Sequence, residues 1–190
     1  MKSIPWHFKK IAPYYDQALG APVSQRILNN LDLPPDGRLL DAAGGTGRVS
    51  QYFTGRVRQV VVADQTFEML QQTQIKFGLQ VTQANTEQLP FGSDIFCCVI
   101  MVDALHHVVD QAETIRELWR VLKPGGRVII EEWDIHSFRV KLAAVGEKLV
   151  RMRSHVLSPE QIVDLFSFDN ARVRVERDGF TDWVIVDKVP

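Results

Sequence analysis

Cysteine is scarce in this chain: two in 190 residues, and those adjacent, Cys97 and Cys98. Neighbouring residues of a strand point to opposite faces, so a bridge between them is not expected and both read as small hydrophobes with free thiols. No apolar run approaches the roughly 20 residues that cross a bilayer, and Met1–Trp6 lacks the apolar stretch of a secretory signal. A cytoplasmic protein without membrane contact is the expectation. Charge of one sign is also missing. The formal net charge is −1, so the basic footprint of a nucleic-acid binder is absent. The five histidines are scattered apart from His106-His107, and no spacing suggests a metal site. There is no internal repeat, low-complexity stretch or linker. What remains is ordinary for a globular protein, 45% apolar and 24% charged, and 190 residues suit a single domain, 1–190.

Strand-like and helix-like segments alternate through most of the length. Leu39-Leu40-Asp41 closes a first strand, and a glycine-rich turn, Gly44-Gly45-Thr46-Gly47, follows it directly. Thr46–Phe53 reads as a short helix, 59–64 as a second strand, 66–77 as a helix, and 78–83 as a third strand. Residues 94–102 are nearly all apolar, as a strand buried on both faces should be. The clearest helix is 111–122, with Ile115, Leu118, Trp119 and Leu122 on one face, stopped by Lys123-Pro124-Gly125-Gly126. A fifth strand covers 127–132. Near the end a short helix opens at Ser158-Pro159, and a strictly alternating segment, 171–176, and a second strand, 180–187, flank Asp178-Gly179, a hairpin signal. The pattern predicts an α/β, Rossmann-like, doubly wound fold. Its sheet has seven strands, mostly parallel, with a C-terminal antiparallel β-hairpin. Residues 1–31 form an aromatic-containing helical cap. Residues 137–153 form an amphipathic helical insertion with a basic face: a core-packed helix, a short lid over a substrate, or a membrane-surface helix.

The first two strands both end in an acid, Asp41 and Asp64. Ligands of parallel sheets lie outside the carboxyl ends of the strands, where strand order reverses. Asp64 stands nineteen residues after Gly45, a placement suited to ribose hydroxyls. A dinucleotide site would share that acid, but it prefers a third glycine where Ser50 stands, and Asp41 would repel a pyrophosphate. An adenosyl ligand bearing an ammonium and a sulfonium suits Asp41 better.

Leu40-Asp41-Ala42-Ala43-Gly44-Gly45-Thr46-Gly47 resembles the first motif of the class I S-adenosylmethionine-dependent methyltransferases. Its Ala-Gly-Gly variant is similar to that of ubiquinone/menaquinone-biosynthesis C-methyltransferases. Asn85-Thr86-Glu87-Gln88-Leu89-Pro90-Phe91, Ala104-Leu105-His106-His107-Val108 and Arg120–Gly126 resemble later motifs in the correct order. Phe8–Asp16 resembles the opening segment. The resemblance covers about residues 8–132, and the terminal hairpin agrees with it. It implies S-adenosyl-L-methionine as the cofactor, a small-molecule methyl acceptor, and a monomer or homodimer. Asp41, Ala43, Gly45 and Gly47 would line the methionine end. Asp64 and Gln65 would hold the ribose. Met69, Asn85 and Thr86 would meet the adenine, with asparagine standing where the family has an acid. Val102 would lie near the methionine end and the substrate, and Tyr15 would close over the cofactor or pack the N-terminal helix. Asp103, His106 and His107 are the candidates for handling an acceptor proton, the histidine doublet having a purely structural reading as well.

Transfer from a sulfonium is an in-line displacement from an activated donor, so the protein chiefly aligns and desolvates. The alternatives are a non-catalytic S-adenosylmethionine-binding regulatory module and, disfavoured by Asp41, Ser50 and the hairpin, a nicotinamide-dependent oxidoreductase.

Overall fold

The computed structural model describes residues 6–19, 23–134 and 155–190. The 137–153 segment lies outside the described residues. Seven strands form one sheet in the order β3-β2-β1-β4-β5-β7-β6. They are β1 (Arg38–Ala42), β2 (Gln59–Asp64), β3 (Leu79–Gln83), β4 (Phe96–Val102), β5 (Leu122–Trp133), β6 (Ala171–Arg177) and β7 (Thr181–Lys188). The first five are parallel; β7 runs antiparallel to both β5 and β6. Strand order reverses between β1 and β4, which places the switch point beside Asp41.

The period-two alternation sorts side chains into two cores. Leu40, Ala42, Val99, Met101, Val128 and Ile130 face one side; Leu39, Cys98, Ile100 and Ile129 face the other. The first core is covered by α5 (Gln111–Val121) and α6 (Pro159–Leu165). Asp110 caps α5 by accepting from the Glu113 N–H at 2.9 Å, and Ile115, Leu118 and Trp119 are its buried stripe. Ser158 and Gln161 close a capping box on α6, as the Ser-Pro start suggested. The second core takes Ile27 of α3 (Gln25–Asn30), Val49 and Phe53. Helix α4 (Phe67–Gln74) packs on β2 and β3.

Two expectations need correction. Thr46–Phe53 is not an α-helix. Positive φ at Gly45 (55°) and Gly47 (69°) keeps residues 45–49 in turns, and only Ser50–Phe53 forms a 3₁₀ turn. Cys97 and Cys98 do not take opposite faces. A register irregularity between Phe96 and Cys98 turns both toward the second core, Cys97 half-buried, and both are free thiols. The same irregularity absorbs Lys123–Gly126, which bulge inside β5 instead of preceding it: Phe96 pairs with Leu122, but Cys98 pairs with Arg127.

The N-terminal segment is helical, as α1 (Trp6–Ile11) and α2 (Tyr15–Leu19). A small polar cluster fastens it to the glycine loop. Asp16 accepts from Thr46 Oγ1 and from Lys76 Nζ, both at 2.5 Å, and Lys76 also donates to the Thr46 carbonyl at 2.6 Å. Phe8 and Tyr15 thereby come to rest over the carboxyl ends of the strands.

Candidate active site

A cleft of about 960 Å³, counted out to its open mouth, lies at those carboxyl ends. The glycine loop forms one wall and the turn after β4 the other. Tyr15, Asp41, Ala43, Gly45, Asp64, Gln65, Met69, Thr86, Val102, Asp103 and His107 all line it. Gly47, Asn85 and His106 do not. Gly47 serves from behind: a Cβ there would lie 2.7 Å from Leu79 and 3.0 Å from Thr73, so it permits the loop to sit on α4 and β3. Asn85 uses its amide oxygen to accept from Gln65 Nε2 at 2.7 Å and from the Glu87 N–H at 3.1 Å. It braces Gln65 from outside.

His106 is buried in the wall. Its Nδ1 lies 2.5 Å from Glu132 Oε2, while Glu132 Oε1 accepts the N–H groups of Ala104 at 3.1 Å and Leu105 at 2.6 Å. One carboxylate at the tip of β5 thus fixes the whole turn after β4. Of the doublet, only His107 reaches the cleft, its ring edge-on to Phe8 with centroids 5.2 Å apart.

The strand-tip acids differ in how they are held. Asp64 spends one lone pair of each oxygen on its own loop. Oδ2 accepts from the Gly45 N–H at 2.9 Å and Oδ1 from the Thr66 N–H at 2.7 Å. Each oxygen keeps capacity for a second donor. Burial raises its pKa, and those backbone bonds oppose the rise. Asp41 lies under Gly44, where a Cβ would come within 2.5 Å of its carboxyl carbon, and it accepts a bond from Ser50. Burial pushes Asp41 up to about 7, with the Asp64 charge adding to the rise and the Ser50 bond opposing it. Asp103 is pushed up to about 6, first by burial and then by Glu132. Tyr15 is raised to about 12 by burial and by the charge of Asp103. A cation entering this cleft would relieve the penalty on Asp41 and Asp103. Ala43 (φ 56°) and Asp103 (φ 51°) are both in the left-handed region, at the turns leaving β1 and β4. Strain of this kind gathers at binding sites.

The sequence reading missed Phe8, Gly44, Thr46, Arg48, Val49, Thr66, Ala104 and Val108 of the lining. Several sit inside the motifs that were recognised. Arg48 had a signal of its own, as a basic residue in a loop flanked by acids; its Nη2 lies 3.7 Å from Asp103 Oδ2.

Residues 40–130 match the family described as "Methyltransferase domain". That match agrees with the resemblance carried by the motifs. The ubiquinone/menaquinone biosynthesis C-methyltransferase of Proteus mirabilis is 35% identical over 135 residues, covering 60% of this chain and 53% of the relative. The Haemophilus ducreyi protein of the same name is 38% identical over 107 residues, covering 51% and 41%. The chain spans about half the length of the curated relatives it matches. A SAM-dependent methyltransferase of Aquifex aeolicus aligns over 99% of this chain and 100% of its own, with TM-score 0.74 and 19% identity. The geranyl diphosphate C-methyltransferase of Streptomyces coelicolor, crystallised with S-adenosyl-L-homocysteine, aligns over 87% and 77%, with TM-score 0.70 and 15% identity. At those identities the two structures speak for the fold alone, a Rossmann-like methyltransferase sheet.

Proposed function

We propose that the chain is an S-adenosylmethionine-dependent methyltransferase acting on a small-molecule acceptor. The observation that carries this reading is the pair of strand-tip acids, Asp41 and Asp64, bracketing a glycine loop at the switch point of a sheet whose residues 40–130 match the methyltransferase family. The residues suit the cofactor. Asp64 has oxygen lone pairs left for ribose hydroxyls, Met69 and Thr86 offer an adenine wall, and Asp41 and Asp103 favour a positive ligand.

When bound, S-adenosylmethionine supplies a methyl group on positively charged sulfur, already activated for displacement. The chain's part is then alignment and exclusion of water. Phe8 and Tyr15 roof the cleft, held there through Asp16. Asp103 and His107 are the groups placed to take an acceptor proton; His106, turned to Glu132, is assigned to support. The acceptor would enter over the tips of β4 and β5, beside Val102 and Ala104. The names of the curated relatives make a carbon acceptor the first class to try.

The test is titration calorimetry with S-adenosylhomocysteine, followed by labelled S-adenosylmethionine in a metabolite extract. Micromolar binding and a labelled small molecule are expected. Failure to bind S-adenosylhomocysteine would refute the reading. Binding with no labelled product in any extract would favour a regulatory module.

A further inference from the structure

The sheet ends in two edge strands, β3 and β6, and they are guarded differently. An edge leaves a row of backbone N–H and C=O groups that another chain can pair with, and charged side chains along it discourage that pairing. The β6 edge carries Arg172, Arg174, Glu176 and Arg177. The β3 edge is Leu79-Gln80-Val81-Thr82-Gln83 and carries no charge.

Just ahead of β3, at the end of the sheet opposite the cleft, apolar side chains stand in solvent. Ile75 is 81% exposed and Phe77 is 95% exposed. Gln51, Tyr52, Thr54, Lys76 and Phe77 line a groove there of about 660 Å³, counted out to its open mouth. The charge around it is of one sign. Thr54 forms a bridge with Val57 and lies against Gly78, so the turn holding Arg56 adjoins the start of β3. Arg58 directly precedes β2, the neighbour of β3. Both arginines are exposed, and among the described residues neither side chain has an ion-pair or hydrogen-bond partner. The acids of residues 51–83 are engaged elsewhere: Asp64 lines the cleft, and Glu68 lies 3.9 Å from Lys9.

We propose that the outer edge of β3 is a docking strand for a partner protein, whose extended segment pairs with it, seats an apolar side chain in the groove beside Phe77 and brings acidic residues to Arg56 and Arg58. Strand addition takes its affinity from the backbone pairing and its specificity from the side-chain pockets. The flanking charges select the partner. A second copy of this chain is the poorer occupant, because its own β3 has no acid to meet the arginines. The cleft at the other end of the sheet stays open when this surface is covered.

The experiment uses two fluorescein-labelled peptides, Glu-Glu-Val-Phe-Val-Thr-Val and its counterpart with lysine for glutamate, read by anisotropy against the whole protein. Melting curves check that Phe77→Ser and the double variant Arg56→Glu/Arg58→Glu stay folded. The acidic peptide is expected to bind with a Kd on the order of 10 µM, and the lysine peptide about tenfold or more weaker. Phe77→Ser should weaken the acidic peptide about tenfold, and the double variant should reverse the preference between the two peptides. The amides of residues 79–83 should exchange more slowly with the acidic peptide bound. Equal binding of both peptides, no binding of either, or a complex without slowed exchange in β3 would overturn the proposal. So would a concentration-dependent dimer in sedimentation velocity that Phe77→Ser abolishes, since a second copy would then be the occupant.

Discussion

At the β1–β2 end of the cleft, Asp41 and Asp64 line the ligand space while also holding their own loops. At the β4–β5 end, Glu132 is turned inward and holds a loop without lining the cleft, and Asp103 lines the cleft on strained backbone. Acids at or beside the strand tips thus do different work, depending on what each side chain meets. Glu131 and Glu132 make the point within one strand. Glu132 takes the side of the first core and binds His106, whereas Glu131 accepts from Trp183 Nε1 at 2.5 Å. Adjacent strand residues point to opposite faces, so two neighbouring glutamates enter two unrelated networks.

This contrast can be broken at either end. The largest effect belongs to Glu132→Ala, which strips three hydrogen bonds from one buried carboxylate. A loss of about 3–5 kcal/mol in urea unfolding is expected, with Glu132→Gln less damaging. A change under 1 kcal/mol would show that the turn after β4 is held by other means. Next comes Asp64→Ala. It removes the acceptor for the Gly45 and Thr66 N–H groups along with the ribose contacts, and should weaken S-adenosylhomocysteine about 100-fold by calorimetry. Unchanged affinity would contradict the ribose assignment.

The pH dependence of Asp41 sharpens the comparison. Its pKa rises from 3.8 to about 7 on folding, so the native state binds the proton more tightly than the unfolded chain. Its contribution to stability is complete below about pH 4 and is lost as pH rises to about 7, with a slope of up to about 1.4 kcal/mol per pH unit. Urea unfolding from pH 4 to 8 should show this fall, and Asp41→Asn should make it shallower, with Asp103 (about 6) and Glu131 (about 7) supplying the remainder. Affinity for a cationic ligand should change in the opposite sense, increasing with pH across the same window. The smallest effect is that of Ala43→Gly. Alanine at φ 56° carries strain of about 1 kcal/mol that glycine avoids. A small gain in melting temperature with cofactor affinity kept is the expected outcome; a lower melting temperature would mean that the alanine methyl packs usefully.

Much of this was legible in the sequence. Buried parallel strands announce themselves as apolar runs, so 59–64 was located to the residue and 94–102 nearly so. Asp41 and Asp64 stood out because an acid at the end of such a run has few structural reasons to be there. The Thr46–Phe53 helix failed because two glycines with positive φ outweigh the helical tendency of the residues after them. His106 and His107 look equivalent on paper, yet a 3₁₀ turn sends one to Glu132 and the other to the cleft.

The sequence by itself determined the local matters: which segments are strands, where the chain must turn, and which acids end the strands, since each depends on a few neighbouring residues. Only the tertiary structure decided the pairings across long separations: Arg48 with Asp103, Glu132 with the turn after β4, Asp16 with Lys76. Those depend on side-chain direction and on distances between elements far apart in the chain, and no short-range pattern encodes them.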